Sequence, residues 1–253
     1  MRNKLNNSLT IISLPQLAIA FIPVLVVLFI LFKWQLPQKR SIQALTRMLV
    51  QLLLVGYFLS YIFESNSAWL VLAILSLMVI FSSTIALNNI ERAHPHLFKY
   101  AIISIALSGT FTLLIITQGV LQLTPWYKAQ TIIPLAGMIF ATCMNSVSLC
   151  GERFFSELKH SRERERSNDD FATVNSINYI SARNTAFQAG MIPNVNALLA
   201  VGIVSLPGMM TGQILSGTSP FVAARYQIMV MCMIFASAGI ASALFLILSK
   251  PEK

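Results

Sequence analysis

The chain has 253 residues, 56% hydrophobic and 11% charged, with a mean hydropathy of +0.70 and a formal net charge of +9. This composition excludes an ordinary soluble enzyme and points to an integral membrane protein. The basic residues fall in short stretches between apolar runs, so they read as orientation signals and not as a nucleic-acid surface.

A bilayer core takes about 20 apolar residues to cross, and seven runs approach that length. The first, Ile11–Phe32, contains Ala18-Ile19-Ala20, which mimics a signal-peptidase site. Because the apolar run continues well past it, an uncleaved transmembrane helix is expected. The second, Arg47–Phe63, is short, and Gln51 and Ser60 mark it as protein-facing. Arg47 and Gln51 lie one turn apart at its start. An arginine inside a membrane is usually paired or functional, and at the edge it snorkels to the headgroups. Next come Ala68–Leu87 and Ala101–Val120, then Thr131–Cys150, Met191–Leu215 and Tyr226–Leu248. Trp126 and Tyr127, after the fourth run, suit an interfacial aromatic belt.

Loop charges set the orientation. With the amino terminus outside, Lys33, Lys39, Arg40, Arg47, Arg92, Lys99, Arg153, Lys159, Arg162, Arg164, Arg166, Arg183, Lys250 and Lys253 fall inside. Only Arg2, Lys4, Lys128 and Arg225 fall outside. Fourteen against four places the carboxyl terminus in the cytoplasm.

The sizeable cytoplasmic element is residues 151–189. GERFFSELKHSRERER reads as the fifth helix continuing into water. Ser167-Asn168-Asp169-Asp170 offers a stop and a new cap, and Phe171, Val174, Ile177 and Ile180 then give a loose apolar stripe on a short surface helix. Such a helix is what a peripheral partner could grip, or it simply rests on lipid headgroups.

The stretch Gly190–Ile228 carries the strongest functional signal. It is apolar, yet it holds three prolines, two asparagines, Gly208-Met209-Met210-Thr211-Gly212, Gln213, Arg225 and Gln227. Broken backbone inside a membrane is tolerated only where it packs on protein or lines a cavity, and broken helices recur at transport sites. Pro207-Gly208 is expected to kink or end the sixth helix, with Gly212–Thr218 a short turn or re-entrant piece. Ser219-Pro220 reads as the cap and first residue of the seventh helix. Gly208, Gly212 and Ser216 form a small-xxx-small series that packs either within the subunit or at a homodimer seam.

Met209, Met210, Cys143 and Cys150 are soft donors suited to a thiophilic metal, against the plainer reading of apolar filler. No P-loop, HExxH, GxSxG or paired intramembrane carboxylates occur in the sequence, so no metal ligand set or catalytic residue is assigned. If ATP drives the protein, a separate subunit binds it.

SLPGMMTGQILSGTSP followed by YQI and preceded by MIPNVN resembles the FetB-type family of ABC-transporter permeases. The family contains bacterial iron exporters and plant permeases linked to aluminium sensitivity. ALTRMLVQLLLVGYFLSYIF at 44–63 and IIPLAGMIFATCMNSVSLCGERF at 132–154 extend the likeness over nearly the whole chain. The family's cytoplasmic stretch resembling E-A-x-L-A-L-G-A is replaced here by SNDDFATVNSINYISARNTAFQAGMIP.

The expectation is one all-α permease domain, residues 1–253, of about seven transmembrane helices in a bacterial inner membrane. By the resemblance it is a homodimer exporting a metal of the iron type, driven by a cytoplasmic ATP-binding cassette subunit that holds the ATP. This chain carries no cofactor and binds no nucleic acid. Arg47, Gln51, Asn145, Pro207, Gly208, Met209, Met210, Gly212, Gln213 and Gln227 are the candidate path or gate residues. Asp169, Asp170, Phe171, Val174, Ile177 and Arg183 are the candidate coupling residues. The alternatives are a stand-alone secondary transporter or channel, and a membrane scaffold for an ATPase.

Overall fold

The computed structural model describes residues 13–64, 67–88, 90, 95–165 and 174–250, and among them every regular element is a helix. The chain divides into two compact units, Met1–Ser65 and Asn66–Lys253.

The first unit holds α1 (Leu14–Ile19), α2 (Ile22–Lys33) and α3 (Gln38–Glu64). The expected single first helix is broken at Ala20-Phe21. Pro23 has no N–H to give the carbonyl of Ile19, so the ladder lapses there and restarts. The second helix begins nine residues before the expected Arg47, because hydropathy marks only its apolar part and the polar turns from Gln38 onward are also helical. None of the described side chains of this unit is buried.

The second unit contains α4 (Ala68–Leu87), α5 (Pro95–Leu114) ending in a π-helical turn (Ile115–Val120), α6 (Ala129–Glu165), α7 (Val174–Ala200), α8 (Gly208–Leu215) and α9 (Pro220–Leu248). Helix α6 sits at the centre and packs against α4, α5, α7 and α9. At about 1.5 Å per residue its 37 residues run ~55 Å, well beyond a ~30 Å bilayer core, so the charged end projects from the membrane as expected.

The core of this unit mixes large side chains such as Phe154, Phe245, Ile105 and Ile139 with many small ones. Ala101, Ser104 and Ser108 on α5, Ala136, Cys143, Val147 and Cys150 on α6, and Ala238 and Ala241 on α9 are completely buried. Between membrane helices, small residues let backbones approach and gain dispersion contact. Several polar members bond locally or across helices: Ser82 and Ser83 donate to carbonyls one turn back, and Ser108 Oγ donates to the Ser237 carbonyl at 2.7 Å, while the buried Ser104 hydroxyl has no partner among the described residues.

Among the described residues six helical segments are long and apolar enough to cross a membrane: Pro15–Lys33, Gln38–Glu64, Ala68–Leu87, His96–Val120, Ala129–Ser161 and Pro220–Leu248. The expected sixth crossing, Met191–Leu215, is not one helix. It is the second half of α7, a turn, and α8. Likewise, among the described residues Val174, Ile177 and Ile180 belong to no separate short surface helix, since α7 runs unbroken from Val174 through Gly190 to Ala200. No glycine or proline interrupts it before Gly190, which serves close packing instead. A Cβ there would strike the Cys150 sulfur and come within 2.9 Å of the Ser146 carbonyl. From Ala182, which packs in one cluster with Leu246 near the end of α9, to Ala200 the helix rises ~27 Å, close to the depth of a bilayer core.

Candidate functional site

The broken segment Val201–Ser219 is organised by a few backbone devices. The Ala200 carbonyl, at the end of α7, accepts from the N–H groups of Ile203, Val204 and Ser205. Gly202 takes φ +86, a conformation natural to glycine, and its N–H bonds the Ser205 carbonyl at 2.9 Å. Pro207 therefore does not end the sixth helix. That helix has already ended at Ala200, and Pro207 is the extended N-cap of α8, φ −62 and ψ 145. Its carbonyl accepts from the Thr211 hydroxyl at 3.1 Å. Gly212 lies inside α8, and the expected turn over Gly212–Thr218 shrinks to Ser216–Ser219, with Gly217 at φ +93. Ser219 caps α9 by accepting from the Val222 N–H, with Pro220 at the first turn, as expected.

Gly208 and Gly212 have nothing within reach of an added Cβ, so one face of α8 is open. Met209 is exposed and Met210 half-buried. Gln213 on α8 and Gln227 on the adjoining helix α9 each hold a buried side-chain oxygen with no hydrogen-bond partner, and Gln227 is only 5% exposed. An unpaired buried amide oxygen costs about 1–3 kcal/mol. A packed helix pair gains nothing from either, so each is an acceptor open to an added donor.

The other expected residues divide. Arg47 and Gln51 are exposed on α3, where with Gln43, Thr46 and Val50 they line an open hollow of about 490 Å³. These five recur at helical spacing, one face of one helix. Asn145 is exposed on α6. Its neighbour Ser146 makes the contact instead, accepting from Asn194 Nδ2 at 2.8 Å in a buried bond between α6 and α7. Sequence reasoning passed over Asn194, although an asparagine in an apolar run beside Pro193 was the signal. Arg225 stacks its guanidinium 4.7 Å over the Phe221 ring one turn earlier.

Of the coupling residues, Asp169, Asp170 and Phe171 lie outside the described residues. Val174 and Ile177 fall in the first turns of α7, and Arg183 is half-buried and bonds the Asn184 side-chain carbonyl. The root of this region is a solid joint. Phe154 on α6 packs edge-on to Tyr179 on α7, and the Tyr179 hydroxyl donates to the Leu246 carbonyl on α9 at 3.2 Å. Cys143 and Cys150 are buried on the packed face of α6. Among the described residues no group of three or more His, Cys, Asp or Glu comes together to hold a metal ion.

Six apolar helices of spanning length among the described residues, beside a segment broken by a turn and a short helix, define a polytopic α-helical integral membrane protein. Residues 14–252 match the model of the family described as "Uncharacterised protein family (UPF0014)", and the chain belongs to that family. It is 37% identical over 188 residues to a UPF0014 membrane protein of Synechocystis, covering 74% of this chain and 73% of that one. It is 34% identical over 236 residues to the "Probable iron export permease protein FetB" of Escherichia coli K12, covering 90% and 86%. "Protein ALUMINUM SENSITIVE 3" of Arabidopsis thaliana is 28% identical over 209 residues, covering 81% and 74%. No solved structure matches the chain.

Proposed function

We propose that this chain is the membrane permease of an ATP-driven exporter acting in iron-type metal homeostasis, with ATP hydrolysed on a separate cytoplasmic ATP-binding cassette subunit. The observation that carries the reading is the relation to the Escherichia coli protein named as an iron export permease, which extends over 90% of this chain and includes the broken segment. The amino terminus lies outside and the carboxyl terminus in the cytoplasm of a bacterial inner membrane, supported by the loop charges. Two copies pair, each bringing its own broken segment to the path.

In this mechanism ATP binding draws the two ATPases together. Their motion enters through the 169–183 region and passes along α7, which the Phe154–Tyr179–Leu246 joint ties to α6 and α9. The far end of α7 leads directly into the turn and α8, so movement at one end shifts the population of open and closed paths at the other. Gln213 and Gln227 then present acceptors to a passing ion.

Purification from the native membrane in mild detergent tests the reading. An ATPase is expected to copurify with the native chain and to be lost from a Phe171→Asp, Val174→Asp double variant. Iron transport by this chain alone in liposomes, driven by an ion gradient and indifferent to ATP, would overturn it.

A further inference from the structure

A lateral groove of about 600 Å³ lies between α4, α5 with its π-helical turn, and α6, and it belongs entirely to the second unit. Leu72, Val79, Leu113 and Phe140 are among its apolar walls. Of its four polar lining residues, Ser76, Thr110, Thr117 and Gln118, two are bonded within their own helices: Ser76 Oγ donates to the Leu72 carbonyl at 2.9 Å, and Thr117 Oγ1 to the Leu113 carbonyl at 2.8 Å. A hydrated solute would find few partners there and would leave apolar wall wet. The walls suit a hydrocarbon occupant.

The dimensions and the rim narrow that occupant further. On α4 the lining runs from Leu72 to Ile80 and on α6 from Ile132 to Phe140, each ~12 Å, and on α5 it extends from Ile102 to Gln118, ~24 Å. One leaflet of a bilayer core is about 15 Å deep. Trp126 lines the groove and stacks edge-on to Tyr127, and Trp69, one turn of α4 before the lining residue Leu72, is 81% exposed. Tryptophan and tyrosine so placed mark the headgroup level. Lys128 follows, exposed, and residues 121–133 contain no acid.

We infer that this groove is a binding site for one anionic phospholipid, its acyl chain lying between α4, α5 and α6 and its phosphate against Lys128. The π-helical turn forms the wall nearest the headgroup. Its wider backbone is closed by the Leu121 N–H bonding the Ile116 carbonyl at 2.9 Å and the Leu123 N–H bonding the Thr117 carbonyl at 3.0 Å. The bound lipid fills space that these helices otherwise leave open, and makes the second unit sensitive to the charge of the membrane around it.

The test uses the full chain, purified from nanodiscs of equal phosphatidylglycerol and phosphatidylcholine, washed in detergent and weighed by native mass spectrometry. The native chain is expected to retain one phosphatidylglycerol, favoured about fivefold over phosphatidylcholine, the preference a single lysine supplies near a membrane surface. Ala106→Phe, which fills the groove from α5, is expected to lose the retained lipid. Lys128→Gln leaves the groove intact, so it should keep a lipid but lose the preference for the anionic headgroup, and it reads out the site even if Ala106→Phe fails to fold. Equal retention by a folded Ala106→Phe protein, or an unchanged headgroup preference in Lys128→Gln, overturns the proposal. So does a Thr110→Cys variant that cross-links to another protein segment while no lipid is retained.

Discussion

The Asn194–Ser146 bond makes an asymmetric prediction. Asn194 is 7% exposed and Ser146 1%, and the donor–acceptor distance is 2.8 Å. One turn before Asn194, Gly190 lies against Cys150 and the Ser146 carbonyl, so α6 and α7 are already at close approach and cannot drift apart to relieve a broken bond. Polar contacts between membrane helices average about 0.6 kcal/mol and reach about 1.7. The two single variants should nevertheless differ. Asn194→Leu leaves a lone serine hydroxyl, which can turn to the carbonyl one helical turn back, as Ser82 and Ser83 already do. Its cost should stay near 0.6 kcal/mol, about threefold in the equilibrium. Ser146→Ala instead strands the carboxamide N–H of Asn194 among packed helices, for about 1–3 kcal/mol. In the double variant that stranded group is gone, so its stability should match Asn194→Leu alone. The assay is reversible unfolding of the purified protein in mixed lipid–detergent micelles, run on all four members of the cycle. A Ser146→Ala variant as stable as the native chain, or a double variant whose loss is the sum of the singles, would refute the reasoning.

Two further outcomes follow from the same geometry. Tyr179→Phe keeps the ring against Phe154 but removes the bond to the Leu246 carbonyl, so stability should fall by about 1 kcal/mol in the same unfolding assay. ATPase binding should persist while ATP-driven transport weakens, and unchanged transport would remove the joint from the coupling route. Gln227→Leu deletes a buried oxygen without a partner, so the variant should unfold no more easily than the native chain, and by about 1 kcal/mol less easily where the oxygen is fully unpaired. Its transport in a coupled vesicle assay should drop sharply. Lower stability with normal transport would show that the glutamine serves packing.

The apolar spans were legible because the bilayer imposes their length: Ala68–Leu87 was read to the residue, and the fifth helix was read correctly as leaving the membrane. The broken segment was legible only as a composition. Proline was taken as a terminator, yet Pro207 starts a helix, because the ladder had already lapsed where Gly202 takes a positive φ six residues after Pro193–Asn196. Proline marks the edge of a helix without saying which edge, and the glycine upstream decided it. The reading of Val174, Ile177 and Ile180 as part of a separate short surface helix failed for a related reason. Polar residues such as Asn184 and Gln188 lower the hydropathy of α7, while its helical ladder runs on through Gly190, where absence of a side chain admits Cys150. Polarity was mistaken for a boundary. A helix that bonds across to its neighbour, as Asn194 does to Ser146, must carry polar groups where a lipid-facing span would carry none. Low hydropathy in α7 therefore reflects polar groups such as Asn194 that bond to a neighbouring helix, and it does not mark a helix end. A helix rich in asparagine thus lies between the proposed coupling end and the broken turn that it feeds.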